Sequence, residues 1–331
     1  MKKALFLRLD RMGDLILTLP CDQLVTGEYQ VHWVIPQGLD FVVRHATPKR
    51  HYSSFSGQYS LRNFLSFYKH IQSIKADVSL SFHVPWWVNA ALFLARIPTR
   101  GGVLSQWHSY LFLNKGLRQK RSRCEAHEME YNFQLTEHVF DLTPQKQLHQ
   151  PLSLQVSDHL SPLDYNTPYY VVHPGMGGSA LNWPTSHYKQ LIEELSQKTT
   201  VVITGTQMDE AFLTPLKKAL ADNHSVIWLD KKLSGDQLLS VLQNAIAIIA
   251  PSTGVLHLGA SLGATSLGIY SPIQVHHPDR WGPKGACTEV FIPQVICPAQ
   301  FECLGESCTH YPCMNQLSPL PIIRRAKQAC P

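Results

Sequence analysis

Along the whole chain, short runs rich in β-branched and apolar residues alternate with helical stretches, and this alternation restricts the fold more than any other feature. Two parallel strands cannot be joined by a tight turn. They need a crossover, usually a helix, that lies back on the sheet. The first half offers "ALFLRL" (4–9), "YQVHWVI" (29–35), "DVSLSF" (77–82) and the apolar helical stretch "VNAALFLARI" (88–97). The second offers "YYVVH" (169–173), "TTVVITG" (199–205), "HSVIWLD" (224–230), "AIAIIA" (245–250) and "ATSLGIY" (264–270). Between these lie "TSHYKQLIEELSQK" (185–198), introduced by Pro184 at a first-turn position, and "LSGDQLLSVLQNA" (233–245), where Ser234 and Gln237 have capping-box spacing. The pattern predicts an α/β fold of parallel sheets with crossover helices.

With 331 residues the chain exceeds what one core usually organises, so two domains are expected. The stretch "PLSLQVSDHLSPLDYNTP" (151–168) lacks a sustained period and reads as the linker, which divides the chain into 1–155 and 156–331. Two doubly wound domains facing across a cleft are the expected architecture, with ligands beyond the carboxyl ends of the strands.

No apolar run reaches the roughly 18 residues of a spanning helix, and the apolar start "MKKALFLRLD" is broken at Arg8, so a cytoplasmic location without a signal peptide is expected. The net charge of +5 is concentrated in the first half, with 18 Lys and Arg against 12 Asp and Glu over residues 1–160 and 11 against 12 thereafter. Arg11, Arg44, Arg50 and Arg121 are therefore candidates for meeting an acidic substrate or an anionic surface, or else belong to solvated loops. Nucleic acid is not expected, since basic and aromatic residues do not interleave into a recognised module. Cys297, Cys303, Cys308 and Cys313 are separated by five, four and four residues, a poor match to paired zinc knuckles, and are read as reduced cysteines in an irregular loop.

Three segments stand where strands end. In "FLRLDRMGDLILTLP" (6–20), Asp14 opens an apolar helix expected to run toward Pro20; it suits the helix dipole, or it projects as a general base. In "VVHPGMGGSALNWP" (171–184), Gly175, Gly177 and Gly178, with Met176 and Ser179, let backbone approach an anion at a helix start, although a tight turn needs the same glycines. In "IAPSTGVLHLGASLGA" (249–264), Ser252 or Thr253 can cap a helix, and the amides of Thr253 and Gly254 with the His257 ring make donors suited to a diphosphate.

Together "RMGDLILTLP", "HPGMGGSALNWP", "STGVLHLGASLG", "YSPIQVHHPDRWGP" and the tail "CPAQFECLGESCTHYPCM" resemble glycosyltransferase family 9, the heptosyltransferases of the lipopolysaccharide inner core. The resemblance implies a GT-B fold, with the acceptor on the N-terminal domain and a nucleotide sugar on the C-terminal one. It implies metal-independent, inverting transfer of heptose from ADP-heptose to a lipid-linked glycan at the cytoplasmic face of the inner membrane. No cofactor is implied; the nucleotide sugar is a substrate. Asp14 matches the family's general base; Thr253, Gly254 and His257 match its diphosphate turn; Asp209 or Glu210 falls near the acid that holds the ribose.

Two positions depart from the family pattern. Leu181 stands where many members carry Lys or Arg on the donor phosphates, and Ser252 where many have an Asp on the donor sugar. Arg8, Arg11, Arg280 and Lys284 are candidates for a substitute cation. The departures keep two alternatives open: a transferase for another nucleotide sugar, and a catalytically silent GT-B protein that binds a glycolipid or partner.

Overall fold

The computed structural model of the chain describes all residues except 145, 147, 148, 157–159, 165, 166, 178–180, 330 and 331. Two compact units result, residues 1–121 with 126–154, and 122–125 with 155–331.

In the first unit, β1 (Lys2–Arg8) is buried from Ala4 onward, as expected of a parallel strand covered on both faces. It is followed by α1 (Met12–Ile16), β2 (Tyr29–Pro36), α2 (Asp40–Arg44), β3 (Ala46–Thr47), β4 (His51–Phe55) and α3 (Leu61–Ile74). Then come β5 (Val78–His83), α4 (Trp86–Leu94), β6 (Thr99–Val103), α5 (Trp107–Phe112), β7 (Lys115–Leu117), α6 (Glu128–Phe140) and β8 (Ser153–Leu154). Six of the strands form one parallel sheet in the order β4-β2-β1-β5-β6-β7, while β3 and β8 pair separately and antiparallel. One face is filled by Leu5, Leu7 and Val34 against Phe67, Trp87 and Val88 from α3 and α4. On the other, Phe6 meets Trp33 edge-on at 5.2 Å.

The second unit runs β9 (Tyr169–Val172), α7 (Thr185–Ser196), β10 (Thr200–Ile203), α8 (Glu210–Ala219), β11 (Val226–Trp228) and α9 (Gly235–Gln243). It continues with β12 (Ile248–Pro251), α10 (Gly254–Ser261), β13 (Ser266–Ile269), α11 (Pro278–Trp281), β14 (Thr288–Phe291) and α12 (Pro319–Lys327). Its parallel sheet has the order β11-β10-β9-β12-β13-β14. Tyr188 and Leu191 of α7 pack with Val201, Ile249 and Leu267 in its core.

Renumbered within each sheet, both orders are 3-2-1-4-5-6, the doubly wound arrangement whose winding reverses beside its first strand. The reversal falls between β1 and β5 in one unit and between β9 and β12 in the other.

Several local expectations are modified. The helix bearing Asp14 stops at Ile16 and gives way to a 3-10 helix, Leu19–Leu24, with Pro20 in its first turn. Pro184 is the residue before α7, not within its first turn. The stretch 151–168 begins with a paired strand. Ser234 and Gln237 do form the reciprocal capping box on α9. Cys297, Cys303, Cys308 and Cys313 are free thiols, and no group of three or more His, Cys, Asp or Glu among the described residues is arranged to hold a metal.

Candidate active site

Both switch points carry the residues that the sequence singles out. In the first unit, β1 ends on Arg8, whose side chain is only 3% exposed. A bare buried guanidinium would be costly, and three carboxylates surround this one. Arg8 donates from Nε and Nη2 to the two oxygens of Asp10, at 2.7 and 2.8 Å, and from Nη2 to Asp14 Oδ1 at 2.5 Å. Its Nη1 lies 3.8 Å from Glu128 Oε1. Burial opposes the charge on Arg8, but Asp10 and Asp14, with Glu128, outweigh it and keep the group protonated.

Asp14 is mostly buried and shares Arg8 with two other carboxylates. Burial, Asp10 and Glu128 raise its pKa, Arg8 and Arg11 lower it, and the carboxyl ends pushed up to about 6. Arg121 completes the network. It donates to Glu128, to Asn132 Oδ1 at 3.0 Å and to Gln119 Oε1, and lies over the Tyr131 ring.

Asp10 also lines a cavity of about 380 Å³ with Leu9, His83, Trp86, Trp107 and His108. The cavity opens at the carboxyl ends of β1 and β5, between the first turns of α4 and α5. Burial lowers the pKa of His83 and of His108, so both rings favour the neutral form. Neutral imidazoles, a carboxylate and two indoles suit a sugar, whose hydroxyls need donors and acceptors and whose C–H faces pack on aromatic rings.

The other basic candidates divide. Arg11 is exposed at the start of α1 and Arg44 is exposed at the end of α2. Arg50 turns inward: its side chain is 2% exposed and pairs with Asp22 at 2.6 and 3.0 Å, an aspartate that also accepts from Trp33 Nε1. The structure thus spends Arg50 on holding β4 to the segment after α1, and Arg121 on the Glu128 network. Arg8, a candidate phosphate contact by sequence, is likewise committed to Asp10 and Asp14.

In the second unit the glycine loop follows β9 and α10 follows β12, on the two sides of the switch point. Gly178 and Ser179 lie outside the described residues. Gly175 is covered not by open space but by Asp209, whose Cγ is 2.1 Å from where a Cβ would stand. Asp209 accepts from the Thr206 amide at 2.7 Å and the Thr206 hydroxyl at 2.8 Å, and His173 Nε2 lies 3.9 Å from it. Glu210 is at the start of α8, where Lys231 donates to it and Thr214 Oγ1 donates at 3.0 Å. Gly177 is exposed, and the nearest atom to where its Cβ would stand is Met208 Cε at 4.0 Å, while Met176 is buried.

The "NWP" that follows is structural. Asn182 donates to the Pro174 carbonyl and accepts from Trp183 N and the Tyr188 hydroxyl, and Trp183 Nε1 donates to the Leu317 carbonyl. Leu181 packs against the apolar core. On α10, Thr253 holds the capping position with extended backbone, yet its side chain makes no capping bond. Its Oγ1 is shielded from solvent and has no hydrogen-bond partner among the described residues. Gly254 begins the helix, His257 is buried one turn on, and Ser252 lies near the Tyr270 hydroxyl, which donates to the Trp281 carbonyl at 2.8 Å. Arg280 stacks on Trp281 at 4.7 Å.

Sequence reasoning did not find Asp10, Glu128, His83, His108, Trp86 or Trp107. Only Asp10 left a local signal, the carboxylates on either side of Arg11 in "RLDRMGD". The rest come from separate crossovers that converge only when the sheet forms.

Two doubly wound units of this kind make up the GT-B fold, and solved structures share it. The glycosyltransferase family 9 protein of Veillonella parvula superposes with a TM-score of 0.79 at 17% identity, over 99% of this chain and 97% of that one. E. coli ADP-heptose lipopolysaccharide heptosyltransferase II gives 0.78 at 17% identity, covering 99% and 98%. E. coli heptosyltransferase WaaC with ADP gives 0.72 at 18%, covering 99% and 100%. In sequence, a Haemophilus influenzae protein assigned as a glycosyltransferase is 25% identical over 301 residues, 86% of each chain. The lipooligosaccharide heptosyltransferase 2 of the same organism is 26% identical over 122 residues, 36% of this chain and 35% of that one. Residues 65–305 match the family model described as glycosyltransferase family 9 (heptosyltransferase), and the chain belongs to that family.

Proposed function

We propose that this glycosyltransferase moves heptose from ADP-heptose onto a lipopolysaccharide inner-core or related glycolipid acceptor, with inversion and without a metal, at the cytoplasmic face of the inner membrane. The observation that carries the reading is the Asp14 carboxyl, pushed up to about 6 and sharing the Arg8 guanidinium with Asp10, which lines a sugar-sized cavity. A general base works best when its pKa lies near the working pH, where it is ionised yet still takes a proton. In the proposed step, Asp14 removes the proton from an acceptor hydroxyl. The freed oxygen forms a bond to the anomeric carbon as the bond from that carbon to the diphosphate oxygen breaks, and ADP leaves with the electron pair. Helix amides at Thr253 and Gly254, the Thr253 hydroxyl and His257 are the groups we assign to the departing diphosphate.

Ser252 and Leu181 favour a second reading within the same class. Neither side chain carries a charge to offer a donor, Leu181 packs against the core, and a sugar or nucleotide other than ADP-heptose would suit those positions. Calorimetry against a panel of nucleotide sugars, followed by mass spectrometry of product formed on heptose-deficient lipopolysaccharide, separates the two. Selective binding and transfer of ADP-heptose is expected. Selective use of a different donor would remove the heptose assignment, and inactivity with every pair would favour a silent binding protein.

A further inference from the structure

The first unit leaves an organised apolar surface in solvent. Trp86, Phe93 and Leu94 of α4 and Trp107, Tyr110 and Leu111 of α5 are exposed, Trp107 by 70% and Leu111 by 63%. Positions 86 and 93 are two turns apart, and 107, 110 and 111 follow i, i+3, i+4, so each set makes one stripe along its helix. Residues 87–92 of α4, and His108 and Ser109 of α5, are buried, which leaves these stripes as the outward faces. The helices pack on one another, with Phe93 and Phe112 at 5.8 Å, and Tyr59 before α3 lies 5.6 Å from Trp86. Isolated exposed apolar residues are ordinary, but a contiguous set marks a surface that meets something.

The charge around it identifies the partner. From residue 41 to residue 124 there are thirteen Lys and Arg, of which Arg50, Lys115 and Arg121 are paired with Asp22, Asp141 and Glu128, and a single acidic residue, Asp77. Asp77 stands just before β5, where it accepts from the Lys3 amide at 2.8 Å, and no acidic residue occurs on α3, α4 or α5. Arg62 and Arg96 are exposed beside Leu61 and Leu94, and the Arg100 guanidinium lies 5.3 Å from the Phe93 ring. Tryptophan, tyrosine and leucine rimmed by arginine, on helices without an acidic residue, is the composition suited to the interfacial layer of an anionic bilayer.

We propose that the outer stripes of α4 and α5 seat on an anionic lipid surface and thereby bring a lipid-linked acceptor to the cavity between their first turns. Trp86 and Trp107 belong to both features, since they line the cavity and are exposed. A glycan whose lipid stays in the bilayer would enter beside the surface that holds the enzyme. The docking face rests on charge and exposure alone, and only the delivery of acceptor rests on the function proposed above.

The test is co-sedimentation of the full chain with phosphatidylglycerol-containing and pure phosphatidylcholine vesicles, with no sugar present. Wild type is expected to bind the anionic vesicles, more weakly as salt rises. The triple variant Leu94→Gln, Tyr110→Gln, Leu111→Gln, which leaves the cavity lining intact, should bind at least about tenfold more weakly. Its turnover on a water-soluble, deacylated acceptor should stay within about twofold of wild type, because surface substitutions away from the site perturb little. Unchanged vesicle binding by that variant, or no binding by wild type, would overturn the proposal. So would concentration-dependent dimers, abolished by the variant, in place of vesicle binding. If circular dichroism shows the triple variant unfolded, Leu111→Gln alone is read and should weaken binding about threefold. Vesicle binding does not depend on the donor, so failure of the heptose assignment leaves this result interpretable.

Discussion

The Asp209 carboxylate fills the space that any side chain at residue 175 would need: a Cβ there would lie 2.1 Å from both Cγ and Oδ1 of Asp209. The first glycine of the loop thus serves an internal contact. Asp209 cannot swing away cheaply, because its carboxylate accepts from the amide and hydroxyl of Thr206 and is buried. Gly175→Ala is expected to destabilise the second unit by about 1–3 kcal/mol through overpacking. A urea midpoint equal to that of wild type would show that the loop yields instead.

Much of this architecture is legible in the chain. The runs at 4–9, 29–35, 77–82, 169–173, 199–205, 224–230, 245–250 and 264–270 each contain or overlap a strand, because strands buried on both faces of a parallel sheet are almost continuously apolar. In the two large sheets the strands that escape notice are β4, β6, β7 and β14, "HYSSF", "TRGGV", "KGL" and "TEVF". β4, β7 and β14 are sheet edges whose side chains are half-buried or exposed, and the middle of β6 is two buried glycines packed under Val139 and Leu113, so none carries an apolar signature. Asp14 and Thr253 could be placed by local grammar, a strand end followed by a helix start. Glu128 and His83 could not, since nothing near them in sequence indicates that they converge on Arg8 and Asp10.

Asp14 and Arg8 set a pH dependence whose direction can be worked out. A base must be ionised to act, so with Asp14 pushed up to about 6, kcat/KM should rise with pH through about 6 and level off above. Asp14→Asn should lower kcat by about 10²–10⁴ while calorimetry finds the donor affinity unchanged. Arg8→Gln removes the charge that lowers the Asp14 pKa and leaves Asp10, Asp14 and Glu128 with less compensation. The rising limb should therefore move to higher pH, and stability should drop by about 3–5 kcal/mol because a buried pair is broken on one side. A limb that stays in place in Arg8→Gln would argue that another group titrates.

Under α3 a second titration controls stability. His32 and His70 each reach Ser53 Oγ, at 3.0 and 2.8 Å, and burial, with His70 and His51 nearby, lowers the His32 pKa to about 4. The unfolded chain, with its histidine near 6.5, then binds more protons than the folded one between about pH 6.5 and 4. Stability is fully present above that window and declines as pH falls through it, by on the order of 1 kcal/mol from His32 once its partial exposure is discounted. His32→Asn should flatten the slope of urea midpoint against pH over this range. An unchanged slope would assign the acid sensitivity elsewhere.

Thr253 distinguishes a cap from a ligand contact. An N-cap threonine normally has its hydroxyl accept from a helix amide, and removing such a cap costs about 0.5–2 kcal/mol. Here the cap bond is missing, and Oγ1 is shielded without a partner among the described residues, so the folded chain gains nothing from the hydroxyl. Thr253→Val keeps the shape and removes the polar atom. It should leave the thermal midpoint unchanged or slightly raised, because a desolvated donor has been deleted. If the hydroxyl meets the donor diphosphate, the same variant should bind ADP about tenfold more weakly, as loss of one hydrogen bond to a charged group predicts, while Thr253→Ser binds normally. A fall in midpoint with ADP affinity intact would make Thr253 a structural cap and remove it from the donor site.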